Sequence, residues 1–152
     1  MPSERTLVLV KPDGVQRGLI GPIITRLEQT GLKVIGLKIV QITDEMAAEH
    51  YAEHSERPFY AGLVDFITSG PVVAMAVSGP NAVAHVRRLM GATNPQDAAP
   101  GTIRGDLATD IGRNVVHGSA NVEDGERELP IFFADSEIIS YHRANDPWII
   151  EP

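Results

Sequence analysis

The stretch Arg113-Asn114-Val115-Val116-His117-Gly118-Ser119 centres on a side chain that could carry a transferable group, His117. Two β-branched residues precede it, which predicts extended backbone. Alternate residues of a strand share a face, so Val115, His117 and Ser119 fall on one side and Asn114, Val116 and Gly118 on the other. Gly118 has no side chain, so a bulky ligand can approach the ring. An imidazole with its unperturbed pKa of about 6.5 is largely neutral near pH 7. In that state it can attack phosphorus and hold a phosphoryl group covalently. The competing reading is a half-buried strand histidine that only satisfies a hydrogen bond. Its surroundings decide between the two.

Those surroundings must be built by alternating strands and helices. Thr6 to Val10 is an apolar run of strand length, stopped by the turn residues Pro12-Asp13-Gly14, which leaves Lys11 at the strand's end. Ile20, Ile23, Ile24 and Leu27 mark an amphipathic helix that Gly31 can end, and Leu32 to Val40 reads as a second strand. Thr43 can cap a further helix carrying Ala47, His50, Tyr51 and His54 at helical spacing. His50 and His54 are four residues apart, but there is no His-Glu-x-x-His pattern, so no metal site is expected from them. Phe59, Leu63, Phe66 and Ile67 mark another helix, ended by Gly70-Pro71, and Val72 to Val77 a third strand before the turn Ser78-Gly79-Pro80-Asn81. Val83, Val86 and Met90 predict a helix stopped by Gly91, with Arg87 in its last turn. From Gly91 to Arg113 periodicity is lost. A connection of that length inside a domain is expected to be a shaped binding loop. After His117, Asn121 can cap a helix with Leu129, Phe132 and Phe133 as its buried stripe, although Pro130 puts the last turn in question. Glu137 to Tyr141 reads as one more helical turn, and the tail Trp148-Ile149-Ile150 is apolar enough to dock on the domain or on a neighbouring subunit.

Composition narrows the classes. At 152 residues the chain is expected to be one domain over 1–152. It has no cysteine, which removes disulfides, thiolate metal sites and a cysteine nucleophile. No apolar run approaches the roughly 20 residues of a membrane span, and the start does not read as a signal peptide, so a soluble cytoplasmic protein is expected. A net charge of −7 argues against broad binding to a nucleic-acid backbone, but not against an anionic small molecule held in a locally positive cleft. Neither the P-loop pattern nor G-x-G-x-x-G is present, so any phosphate site must be assembled from scattered cations around His117.

Several stretches, taken together and in order, resemble the nucleoside diphosphate kinase family. They are Lys11-Pro12-Asp13-Gly14-Val15-Gln16-Arg17-Gly18, Arg57-Pro58-Phe59, Ser69-Gly70-Pro71-Val72-Val73-Ala74-Met75, Thr93-Asn94-Pro95, Pro100-Gly101-Thr102-Ile103-Arg104-Gly105-Asp106 and Asn114-Val115-Val116-His117-Gly118-Ser119. The resemblance runs from Arg5 to about Glu151. It implies an α+β, ferredoxin-like βαββαβ core, a four-stranded antiparallel sheet covered by helices, with a long inserted loop at about 91–113. Strand and helix periodicity alone leaves open a parallel sheet. The resemblance also implies ping-pong transfer of a γ-phosphoryl group from a nucleoside triphosphate, typically ATP, to a nucleoside diphosphate through phosphohistidine on His117.

In that resemblance Lys11, Arg87 and Arg104 match the cations that neutralise phosphate charge, and Thr93 a hydroxyl donor to phosphate. Asn114 and Lys11 match residues that reach the ribose. Phe59 matches the ring on which the base stacks, with Ile111 opposite it, which implies low base selectivity. Tyr51 matches a residue beside the histidine, and Glu128 one that holds its other ring nitrogen. Mg²⁺ would arrive on the nucleotide phosphates, with no protein metal site. A homo-oligomer is implied, a hexamer ahead of a tetramer or dimer, with Pro100–Asp106 and the tail as contact surfaces. Two positions depart from the pattern. Ala120 replaces the usual aspartate after His-Gly-Ser, and Ala92 replaces a common acidic residue before Thr93. Two other classes compete: a nucleotide-binding regulatory module, disfavoured because His117, Lys11, Arg87, Arg104, Thr93, Asn114 and Glu128 all remain, and a nucleic-acid binder, disfavoured by the acidic balance.

Overall fold

Two apolar strands form the centre of the sheet in the computed structural model, which describes residues 3–152. β1 (Ser3–Val10) and β3 (Val72–Pro80) run antiparallel, from Ser3 opposite Pro80 to Val10 opposite Val73. β2 (Lys33–Val40) pairs with β3, and β4 (Val116–Gly118) with β1, both antiparallel, so the order is β2-β3-β1-β4. The helices are α1 (Pro12–Gln16), α2 (Ile20–Gln29), α3 (Asp44–His50), α4 (Tyr60–Ile67), α5 (Ala82–Met90), α6 (Ile103–Leu107) and α7 (Val122–Phe132). With α2 and α5 as the crossovers, this is the ferredoxin-like βαββαβ arrangement.

Both faces of the sheet are covered. Val8, Val10, Val73, Met75 and Val77 pack with Ile23 and Leu27 of α2 and Val86 and Met90 of α5. Leu7, Leu9, Val72, Ala74 and Ala76 pack on the other side with Ala47, Ile67, Leu129, Phe132 and Phe133. The central strands therefore read as unbroken apolar runs, a pattern usual for parallel sheets, and direction is invisible in their sequence.

Several boundaries differ from the sequence reading. β3 continues through Ser78-Gly79-Pro80, because those residues pair with Ser3 to Arg5, and the reversal falls on Asn81 at φ +52°. The α3 helix ends at His50, and a 3-10 turn over Ala52–His54 comes next, which breaks the helical register between His50 and His54. Residues 91–113 are not wholly irregular. They hold a 3-10 turn at Pro95–Asp97 and the helix α6, whose start is capped by the Thr102 hydroxyl accepting from the Gly105 N–H. Pro130 lies inside α7, which still reaches Phe132 because Leu129 and Phe132 are anchored in the core. The expected turn over Glu137 to Tyr141 is shifted to a 3-10 turn at Asp135–Glu137. In the tail, Ile149 lies against Gly31, where a Cβ would overlap it, whereas Trp148 is 90% exposed.

The α7 helix matters most for the chemistry around His117, because it carries Glu128. The Asn121 side chain accepts from the Asp124 N–H at 2.8 Å and caps its start. Gly125 lets the helix lie directly on β1, since a Cβ there would stand 2.9 Å from the Arg5 carbonyl oxygen. Alanine is a better helix former than glycine by about 1 kcal/mol, but pushing α7 off a backbone atom costs about 1–3 kcal/mol. We expect Gly125→Ala to lower stability in urea unfolding. A variant more stable than the parent would contradict this packing.

Candidate active site

His117 is positioned by a break in the backbone rather than by a regular strand. Val115 has φ +63°, a left-handed conformation that is costly for a β-branched residue, of order 1–3 kcal/mol. Three hydrogen bonds hold it there. The Val115 N–H donates to Asp13 Oδ2 at 3.1 Å, its carbonyl accepts from the Lys11 N–H at 2.9 Å, and the Val116 N–H donates to the Asn114 carbonyl at 2.8 Å. The strand proper is therefore only Val116–Gly118, and the alternation expected from Asn114 to Ser119 fails. Val115 and Val116 enter the same core cluster, and the Asn114 side chain is turned into the cavity that His117 lines.

The ring of His117 is fixed by Glu128. Its Nε2 lies 3.1 Å from Glu128 Oε1, and the Ser119 hydroxyl donates to the same oxygen at 2.8 Å. Ser119 Oγ also accepts the Leu7 N–H at 3.1 Å, which ties the carboxylate to the central strand. Burial alone would raise the Glu128 carboxyl, but the His117 hydrogen bond, the neighbouring histidines and Ser119 outweigh it and hold it below the usual range. An ionised carboxylate only accepts hydrogen bonds, so the His117 Nε2 carries the proton and the lone pair sits on Nδ1. That is the tautomer a nucleophile needs.

Positive charge converges on the same place. A cavity of about 210 Å³ is lined by Lys11, Tyr51, Arg87, Thr93, Arg104, Asn114, His117 and Glu128, together with Ala120, Asp124 and others. The Lys11 Nζ donates to Asn114 Oδ1 at 2.8 Å, and Asn114 Nδ2 donates to the Thr93 carbonyl at 2.9 Å. Burial and the nearby Arg104 push the Lys11 ammonium down to about 8. Arg104 is itself buried and donates to the carbonyls of Asn114, Gly91 and Val116, at 3.3, 3.2 and 2.7 Å. A guanidinium has five N–H groups, so two remain for a ligand after it has stitched residues 91–113 to β4. Burial, with Arg87 beside it, lowers Arg104 to about 10, which leaves it charged at neutral pH. Tyr51 is pushed up to about 12 by burial and by Glu128, so its phenol stays a donor.

Two predicted binding residues stand apart. Phe59 and Ile111 do not line the cavity and are 52% and 56% exposed. His50 and His54 both line the cavity but meet different neighbours. His54 is near Phe59, at 5.5 Å between rings, whereas His50 is buried edge-on against His117 at 4.7 Å. Three contributors were not singled out as site residues from the sequence: Ser119, Asp13 and His50. Ser119 could have been found from its place two residues after His117 on one face. The role of Asp13 depends on the unusual φ of Val115, for which a Val-Val pair gives no warning. Elsewhere, a hollow of about 360 Å³ beside α7 sets Glu4, Glu126 and Asp135 against Arg5, which is the wrong sign for phosphate.

A family model described as nucleoside diphosphate kinase matches residues 4–138. Curated relatives of that name include one from Archaeoglobus fulgidus, 60% identical over 148 residues that cover 97% of this chain and 98% of the relative. Another, from Thermus thermophilus, is 59% identical over 136 residues, 90% of this chain and 99% of the relative. Among solved structures, a halophilic nucleoside diphosphate kinase from Halobacterium salinarum in complex with CDP superposes with a TM-score of 0.95 at 56% identity, across 99% of this chain and 100% of that one. A nucleoside diphosphate kinase family protein from Babesia bovis gives 0.94 at 45% identity, across 97% and 99%.

The depressed Lys11 makes anion binding pH-dependent in a range where an ordinary lysine is inert. Lysine is charged below its pKa and neutral above it, so affinity for pyrophosphate should fall as pH rises through about 8. Calorimetric titration from pH 6.5 to 9.5 reads this directly (a span set on either side of the roughly 8 expected). In Lys11→Arg the alkaline loss should disappear. A wild-type affinity flat across that span would contradict the assignment.

Proposed function

The chain belongs to the nucleoside diphosphate kinase family, and on that premise we propose that it moves the γ-phosphoryl group of a nucleoside triphosphate, typically ATP, to a nucleoside diphosphate, with His117 holding the group between two half-reactions. The observation that carries this reading is the Glu128–His117 hydrogen bond at the edge of a cationic cavity. It leaves Nδ1 as the attacking atom. In the first half-reaction the Nδ1 lone pair forms a bond to the γ-phosphorus and the bond to the β–γ bridging oxygen breaks. The departing diphosphate keeps that electron pair. The ring becomes a phospho-imidazolium still protonated on Nε2, and the buried Glu128 carboxylate offsets its charge. The second half-reaction reverses these bonds with a different diphosphate as acceptor.

The other residues act by position and charge. Lys11, Arg87 and Arg104 spread positive charge over the phosphate oxygens, and no covalent step is asked of them. Tyr51 and Thr93 supply hydroxyl donors at the rim, and Asn114 with Lys11 takes the ribose. A cavity of about 210 Å³ is smaller than the roughly 300–1,000 Å³ that encloses a drug-sized ligand. It suits the phosphates and leaves the base outside, where the exposed Phe59 and Ile111 offer apolar surface without base-edge contacts. Low base selectivity follows.

Mg²⁺ fits this scheme as part of the nucleotide. It demands octahedral oxygen donors, and although Glu53, Asp124 and Glu128 line the cavity, no carboxylate cage gathers there among the described residues. Carried on the nucleotide, the ion would neutralise phosphate charge beside Lys11, Arg87 and Arg104. Assembly into a homo-oligomer, a hexamer ahead of a tetramer or dimer, is supported by the outer strand β2, where Leu37 and Ile39 are 53% and 70% exposed at the edge of the sheet. A cytoplasmic place, and one catalytic domain spanning the chain, complete the reading. No helix among the described residues is long and apolar enough to cross a membrane.

Incubation with γ-labelled ATP should leave an acid-labile, base-stable phosphate on the protein, chased off by any nucleoside diphosphate and absent in His117→Ala. A wild-type protein that takes up no label would overturn the proposal.

A further inference from the structure

One buried nitrogen beside the nucleophile forms no bond in the transfer reaction, although its ring stands next to Glu128. His50 is 4% exposed, and its Nδ1 is buried with no hydrogen-bond partner. Leaving such a group unpaired is destabilising, and a phenylalanine would fill the same space without that cost. The orphaned nitrogen lies 4.0 Å from Glu128 Oε2, while His117 Nε2 lies 3.1 Å from Glu128 Oε1. One donor atom from each of the three residues lies within 4.8 Å of the others. Two imidazoles and a carboxylate form the donor set of three-ligand zinc sites, which keep a fourth position for water. Bonds of about 2.0–2.1 Å in a tetrahedron set donor atoms a little over 3 Å apart, so modest side-chain movements would close this cluster on an ion.

We infer that His50, His117 and Glu128 form a Zn²⁺ site, and that zinc bound there silences His117. Nitrogen donors favour Zn²⁺ over the Mg²⁺ that accompanies nucleotides, so the two ions need not compete for one place. Arg127, 3.7 Å from Glu128 Oε2, opposes the ion and keeps the site from being a permanent zinc centre. Silencing follows from counting electron pairs. A neutral imidazole has one nitrogen lone pair, on Nδ1 while Nε2–H donates to Glu128. Zinc takes that pair at Nε2, so the ring proton moves from Nε2 to Nδ1. Incoming phosphorus then meets an N–H in place of a lone pair. Silencing rests on His117 being the nucleophile, whereas metal binding does not.

The test uses Co²⁺ as a coloured probe. Metal-free protein titrated with Co²⁺ should develop the visible absorption of a four-coordinate ion and saturate at one equivalent, with Zn²⁺ displacing it. His50→Phe keeps a ring among Tyr51, His117 and Phe132 but lacks the donor, and should bind at least about tenfold more weakly. Wild-type protein labelled in its histidine rings should show zinc-dependent NMR shifts of His50 and His117 together, which needs no variant. Zinc should slow phosphoenzyme formation in wild type and not in His50→Phe. Equal metal binding by His50→Phe, no saturable binding by wild type, or shifts confined to His54, His85 and His142 would overturn the site. Saturable binding with unslowed phosphorylation would overturn the silencing. Absence of phosphoenzyme even without zinc would sink the reading of His117 and leave the cobalt result standing.

Discussion

The hydrogen bond between a buried carboxylate and one nitrogen of His117 sets what the surrounding fold has to achieve. It selects the tautomer, fixes the plane of the ring and supplies a counter-charge for the cation that phosphorylation creates. A carboxylate can do this only if it stays ionised away from water. Ser119 and the nearby histidines achieve that here, against the pull of burial. The demand then passes to α7, which must hold Glu128 within hydrogen-bond reach of both His117 and Ser119. The Asn121 cap, the glycine contact on β1 and the anchors Leu129 and Phe132 meet it.

The second demand is a positive cavity in a chain of net charge −7. Among the described residues three Lys and Arg side chains line it, and two of them are costly to keep there. Lys11 is lowered towards neutrality by its burial, and Arg104 sits almost wholly inside the protein. Arg104 is retained because it does two jobs. Its bonds to three carbonyls fasten residues 91–113 against β4, and its remaining donors face the cavity. Loss of that side chain would therefore be a structural injury as well as a chemical one. Val115 shows the same economy in the backbone: a strained residue, held by Asp13 and Lys11, aims Asn114 and His117 into one space.

Much of this was legible in the residues. Thr43, Asn121 and Gly91 mark helix ends by their chemistry, and the structure puts the ends there. The apolar stripes of α2 and α5 are where their spacing sets them. The direction of the strands was not legible, because Leu7 to Val10 and Val72 to Val77 are buried on both faces and lose the alternation that marks an antiparallel sheet with one wet side. It came from family resemblance alone. The site residues were named from the same resemblance, and the structure brings Lys11, Tyr51, Arg87, Thr93, Arg104, Asn114, His117 and Glu128 to one cavity. Phe59 and Ile111 remain on the surface. What local patterns could not express was the coupling of distant segments: Asp13 to Val115, Ser119 to both Leu7 and Glu128, and the orphaned His50. Each depends on a backbone angle or a helix end that the tertiary fold imposes.

One nitrogen of His117 does the chemistry, and it can be identified directly. Phosphoenzyme formed from ATP and trapped at alkaline pH, with the histidine rings labelled in nitrogen, can be read by phosphorus–nitrogen coupling in NMR. Phosphate is expected on Nδ1, with Nε2 still facing Glu128. Phosphate on Nε2, or on any side chain other than His117, would contradict it.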